Sequence, residues 1–158
     1  MDTAPVQPSS RGEEDPYSLR RFVQAQAGCF DAVRQELTAG HKTSHWMWFV
    51  FPQVQGLGRS AMAERYAIRS RGEARAYLNH PVLGPRLRAC SEALLRHRGR
   101  SAHSILGSPD DSKLRSSMTL FATVEGPGSV FQQVLDAFFA GAADESTRRF
   151  LSAEADTK

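Results

Sequence analysis

The sequence predicts an all-α fold: a single multihelical globular domain of about seven or eight helices. Three observations predict it. Apolar residues recur at three- and four-residue spacing through most of the chain, Ser, Asp and Gly punctuate those runs where helices start and stop, and no alternating strand pattern occurs. At 158 residues the chain suits one domain that can bury a sizeable core without disulfide or metal staples.

Met1 to Glu14 hold prolines, serines and adjacent acids with almost nothing apolar, so residues 1–14 read as a tail that cannot offset its ordering entropy. Residues 15–152 form the expected helical domain, and residues 153–158 read as a second tail. Asp15 followed by Pro16 is an N-terminal helix signal. Leu19, Phe22, Val23, Cys29, Phe30, Val33 and Leu37 then predict one long helix closed by Gly40. Ser44 is placed to cap the apolar run Trp46 to Phe51, which Pro52 ends, and Gly56 and Gly58 mark a tight loop. Ser60 opens a helix carrying Met62, Tyr66 and Ile68, and another begins near Gly72. His80-Pro81 breaks that helix and restarts a long one from Val82 through Leu95, ended by the basic run Arg96 to Arg100. A helical turn over Ser101 to Leu106 precedes the helix opened by Ser108-Pro109-Asp110. Gly126-Pro127-Gly128 separates this from a helix capped by Ser129, and Asp144 caps the last one.

Composition excludes several function classes. No stretch approaches the roughly 20 apolar residues of a membrane span, and the N-terminus lacks a secretory layout, so no membrane partner and a cytoplasmic location are expected. Cys29 and Cys90 each sit in an apolar stripe and are expected to be buried, reduced thiols. No metal-ligand spacing, nucleophile elbow or dinucleotide fingerprint occurs, so neither a metal nor a cofactor is expected. The net charge of +3 is carried by a basic set made mostly of Arg. It favours small anionic partners weakly and nucleic acid less.

Two blocks concentrate the chemistry. The first, Gly40 to Gln53, sets both tryptophans, Trp46 and Trp48, beside Lys42, His45 and Gln53: an aromatic wall with a few polar groups, as small-ligand pockets are built. The second, Asp110 to Phe121, puts Lys113 and Ser116 or Ser117 on one helix face, with Asp110 and Asp111 in the first turn. Together they predict a polar pocket shared by His45 and Lys113. In it Lys42, Lys113 or Arg59 binds phosphate, Trp46 or Trp48 stacks on a ring, Gln53 and Ser117 add hydrogen bonds, and His45 or Asp111 moves a proton. The expected function is an enzyme or sensor acting on an anionic nucleotide-like compound. The alternative is a non-enzymatic helical protein-interaction module using Arg96 to Arg100.

Several strings carry a family resemblance. Arg21 to Gln26, Ser44 to Gln53, Gly56-Leu57-Gly58, Tyr66-Ala67-Ile68, Glu73 to Leu78, His80 to Gly84, and Lys113 with Ser117 to Phe121 resemble, in this order, the domain-of-unknown-function 1810 family over about residues 16 to 151. That resemblance implies a mainly helical fold and supplies no activity. Lys113 to Leu151 is also loosely similar to the NADAR family of small helical proteins tied to NAD and ADP-ribose chemistry, which extends the expected ligand class to ADP-ribosyl compounds.

Overall fold

The computed structural model describes residues 15–156. The tail expected over residues 1–14 lies outside them. Ten helices follow in order: α1 Arg20–Ala27, α2 Phe30–Ala39, α3 Met47–Val50, α4 Ala61–Arg65, α5 Arg71–Asn79, α6 Leu83–Leu95, α7 Ala102–Leu106, α8 Asp110–Glu125, α9 Val130–Phe139 and α10 Glu145–Asp156. The chain is helical as predicted, with ten helices among the described residues where seven or eight were expected. The excess has two sources. α1 ends at Gly28, and Cys29, at φ −137°, leaves helical geometry, which splits the first apolar run into α1 and α2. The rest lies in α3, α4 and α7, which the sequence marks at Trp46 to Phe51, after Ser60 and over Ser101 to Leu106, and which are only four or five residues long. No strand forms among the described residues; the nearest approach is an isolated parallel bridge between Val54 and Ile68.

α8 is the axis of the fold. Leu114, Met118, Leu120, Phe121, Ala122 and Val124 are buried on it, and α5, α7, α9 and α10 pack around it while α6 lies against α2, α5 and α9. A helix apolar on nearly every side belongs in a core. Its buried hydroxyls mostly turn back on their own helix: Ser116 Oγ donates to Ser112 O at 3.3 Å and Thr119 Oγ1 to Arg115 O at 2.8 Å. α5 and α6 meet closely because position 84 is glycine; a Cβ there would lie 2.1 Å from the Leu78 carbonyl oxygen.

Most caps follow the sequence signals; Ser70 caps the helix that the sequence starts near Gly72. The hydroxyls of Ser60, Ser70, Ser101 and Ser129 accept from the backbone N–H three residues on, and the Asp144 carboxylate does the same for Thr147. Asp15 accepts from Leu19 N at 2.8 Å and Arg20 N at 3.1 Å, so it caps a helix that starts later than the Asp-Pro signal suggests. His80 Nδ1 accepts from Val82 N and Leu83 N, which makes the His80-Pro81 break also the start of α6. Two expectations change here. α10 runs on to Asp156, and Glu154 accepts from Arg71 N at 2.9 Å, so residues 153–156 continue the domain instead of forming a tail. Cys90 is buried, but Cys29 is only half-buried because the helix breaks at its position. Among the described residues no helix is long and apolar enough to cross a membrane.

Candidate functional site

The site begins with a carboxylate on α2. Glu36 Oε1 accepts from Thr43 N at 2.9 Å, Ser44 N at 3.1 Å and Trp46 Nε1 at 2.9 Å, and Oε2 accepts from the Ser44 hydroxyl. Burial alone would push this carboxyl up, but the hydrogen bonds from Ser44, Thr43 and Trp46 outweigh it and hold the group down at about 2. The segment after Gly40 is thereby wound around one negative charge. Ser44, expected to cap the Trp46 helix, is spent on Glu36, and α3 has no side-chain cap.

That winding turns Lys42 inward. Its N–H donates to Ile105 O at 2.8 Å, and its ammonium donates to Ser44 O at 2.6 Å. The same ammonium sits 4.9 Å from the Trp46 ring centre and 2.7 Å from Asp110 Oδ2, with the Lys42 side chain 6% exposed. Asp110 opens α8 and faces a second ammonium as well: Lys113 Nζ lies 3.9 Å from Oδ1 and 5.3 Å from the Trp48 ring centre, its side chain 25% exposed. One carboxylate therefore serves two lysines, each over its own indole, and serves Lys42 far more closely.

Below Lys113 is a cleft of about 10 Å³ lined by Trp48, Gln53, Gly58, Ala63 and Tyr66. That is space for one water. A ligand pocket of the usual size, about 300 Å³ or more, would need the glycine-bearing loop between Val54 and Ser60 to move.

The two sequence blocks do meet, through Lys42, Asp110 and Lys113, and the structure brings Trp48, Gln53 and Lys113 to one cleft. The other expected residues are placed differently. Trp46 is 1% exposed and Ser117 is fully buried, its Oγ without a hydrogen-bond partner among the described residues, so neither offers a surface to a ligand in this arrangement. His45 and Arg59 are exposed and make no hydrogen bond or ion pair among the described residues. Asp111 meets His103 at 3.4 Å. The Arg96 to Arg100 run is partly occupied in closing helix ends: His97 Nε2 lies 3.0 Å from Leu37 O, Arg98 Nε donates to Leu95 O, and Arg100 donates to Ser104 O. Sequence reasoning missed Glu36. Its signal was available only as an acid near the end of α2, seven positions before a Thr-Ser pair and a Trp, all hydrogen-bond donors. Asp110 was read solely as a favourable first-turn charge, without its two lysines.

A solved structure, the conserved hypothetical protein Rv1873 from Mycobacterium tuberculosis, is similar to this chain at 49% identity and a TM-score of 0.85, covering 87% of this chain and 99% of its own. No curated protein matches the chain. A family model described as a protein of unknown function (DUF1810) matches residues 16–151, and with nearly the whole helical domain inside that match, the chain belongs to the DUF1810 family.

Proposed function

We propose that the chain binds a small anionic ligand, nucleotide-like or ADP-ribosyl in character, at the face formed by Lys113, Trp48 and Gln53. The observation that carries this is the unequal sharing of Asp110: its carboxylate lies 2.7 Å from Lys42 and 3.9 Å from Lys113, which leaves the second ammonium under-neutralised beside a half-buried indole. An anionic group on Lys113 would complete the charge balance, since a cation drawn away from water favours a counter-ion. Trp48 supplies a ring face and Gln53 an amide for orientation. Exposed His45 and Arg59 would join only if the loop carrying Gly56 and Gly58 opens. Lys42, Trp46 and Ser117 act from behind the surface, holding the wall.

A thermal-shift screen against nucleotides, nucleotide sugars and ADP-ribose tests this, because a ligand of the native state raises Tm by mass action. Lys113→Ala is expected to change stability by no more than about 0.5 kcal/mol and to remove the ligand's effect on Tm. A ligand whose Tm effect survives in Lys113→Ala binds elsewhere, and the reading fails. The interaction-module alternative draws on a different place, a groove of about 220 Å³ between α2 and α6 lined by Arg34, Leu37, Cys90 and Arg96. Loss of a protein partner on Arg96→Glu, with Lys113→Ala silent, would favour it.

A further inference from the structure

Tyr17 is the one large hydrophobic side chain that the fold leaves exposed among the described residues, at 38%. It is nonetheless held in place from both sides. The next residue, Ser18, has φ 54°, a left-handed conformation that residues with a Cβ seldom adopt and that persists only when its surroundings enforce it. The enforcement comes from Arg21, whose Nη1 donates to Tyr17 O at 2.7 Å and Ser18 O at 3.0 Å, while its Nε and Nη2 donate to Arg65 O, Ala67 O and Glu73. Across from the ring, position 72 is glycine; a Cβ there would lie 2.6 Å from the Tyr17 hydroxyl oxygen. The glycine makes room for the phenol at the start of α5.

The ring borders a cleft of about 420 Å³ shared with Ser18, Arg65, Arg69, Ser70 and Glu73. That volume is in the range of small-ligand sites, about 300–1,000 Å³. Its one acid is already committed: Glu73 Oε2 accepts from Arg21 at 2.8 Å and Oε1 from Arg69 N at 2.9 Å. Arg65 and Arg69 are exposed and have no carboxylate partner among the described residues. Arg65 does lie over the Tyr66 ring, 5.6 Å from its centre, which leaves its guanidinium N–H groups to an anion. Two guanidinium groups without a carboxylate, a preset aromatic face and hydroxyls at the rim are the parts that recognise a phosphate attached to a planar ring.

We propose that this cleft binds a nucleoside monophosphate, its ring on Tyr17 and its phosphate between Arg65 and Arg69, as a site separate from the Lys113 face. Adenosine 5′-monophosphate is the probe, titrated to about 10 mM to reach millimolar affinities, with backbone amide chemical shifts of the full chain as the readout. Shifts should centre on residues 15–21 and 65–73. Arg65→Ala and Arg69→Ala should each weaken binding about tenfold or more, as expected for loss of a charge-assisted contact. Tyr17→Ala should weaken it by a similar factor through lost stacking. Adenosine and ribose 5-phosphate should each bind more weakly than the intact nucleotide. The proposal is overturned if adenosine 5′-monophosphate causes no shifts, if both arginine variants bind it as well as the parent does, or if ribose 5-phosphate binds equally well.

Discussion

Arg21 and Lys42 are both cations drawn inside the protein, and the fold treats them differently. Arg21 spends its donors on four carbonyls and Glu73, closing a junction between the entry segment, α4 and α5. Lys42 shares Asp110 with Lys113, so that two ammonium groups lean on one carboxylate and on two indole rings. A planar, always-charged fork suits complete satisfaction by fixed acceptors, whereas a flexible point charge tolerates a partial one. The complete arrangement is a staple. The incomplete one is where an outside anion has something to add.

The largest effect that could break this contrast is on stability. Glu73→Ala leaves Arg21 buried without its counter-ion, at a side-chain exposure of 14%, and should cost about 3–5 kcal/mol in urea denaturation. Asp110→Ala should cost less, about 1–3 kcal/mol, because Lys42 keeps the Ser44 carbonyl and Lys113 can turn to water. Equal losses from the two variants would make Lys42 a second staple and remove the distinction.

Glu36 sharpens the comparison through pH. Its folded-state carboxyl, held at about 2, lies below its ordinary value of 4.5. The sign follows: it contributes stability that is fully present above about 4.5 and is lost as pH falls from there through about 2. Melting temperatures measured down the acid range should show that loss in the parent and a flatter acid limb in Glu36→Gln, which starts lower at neutral pH. A parallel acid limb in the variant would mean that the loop around Lys42 is not organised by this charge. The smallest expected effect is on thiol chemistry. Burial pushes Cys90 up to about 12 and raises Cys29 as well, but Cys29 is only half-buried. A thiol reagent should therefore modify Cys29 in the native state and reach Cys90 only on unfolding; equal rates would contradict the placement.

Much of the fold was legible because its rules are local. Ser60, Ser129 and Asp144 cap where the sequence places caps, Ser101 opens the helical turn expected there, and the apolar spacing of Leu83 to Leu95 and Leu114 to Phe121 marks buried helix faces. The break at Gly28 and Cys29 was hidden because the apolar stripe continues through it into α2. Within the site, sequence reasoning chose Lys42, Trp48, Gln53 and Lys113 on chemical character, and these do gather around one region. It could not choose Glu36 or give Asp110 its partners. Nothing about an acid on an amphipathic helix distinguishes it until the chain folds back and brings Ser44 and Trp46 to it.

The bridge between Val54 and Ile68 is small, two hydrogen bonds from Gln55 N to Ile68 O and from Ile68 N to Gln53 O. It fastens the base of the segment that carries the Gly56–Gly58 loop and α4. Together with the Arg21 bonds to Arg65 O and Ala67 O, it leaves the Gly56–Gly58 tip as the part of the segment farthest from a fixed contact. Opening of the Lys113 cleft at that tip is expected to cost less than unfolding of the domain, and native-state hydrogen exchange tests this. Amides at the loop tip would exchange by that opening, while those of Gln55 and Ile68 would wait for the clasp itself to release.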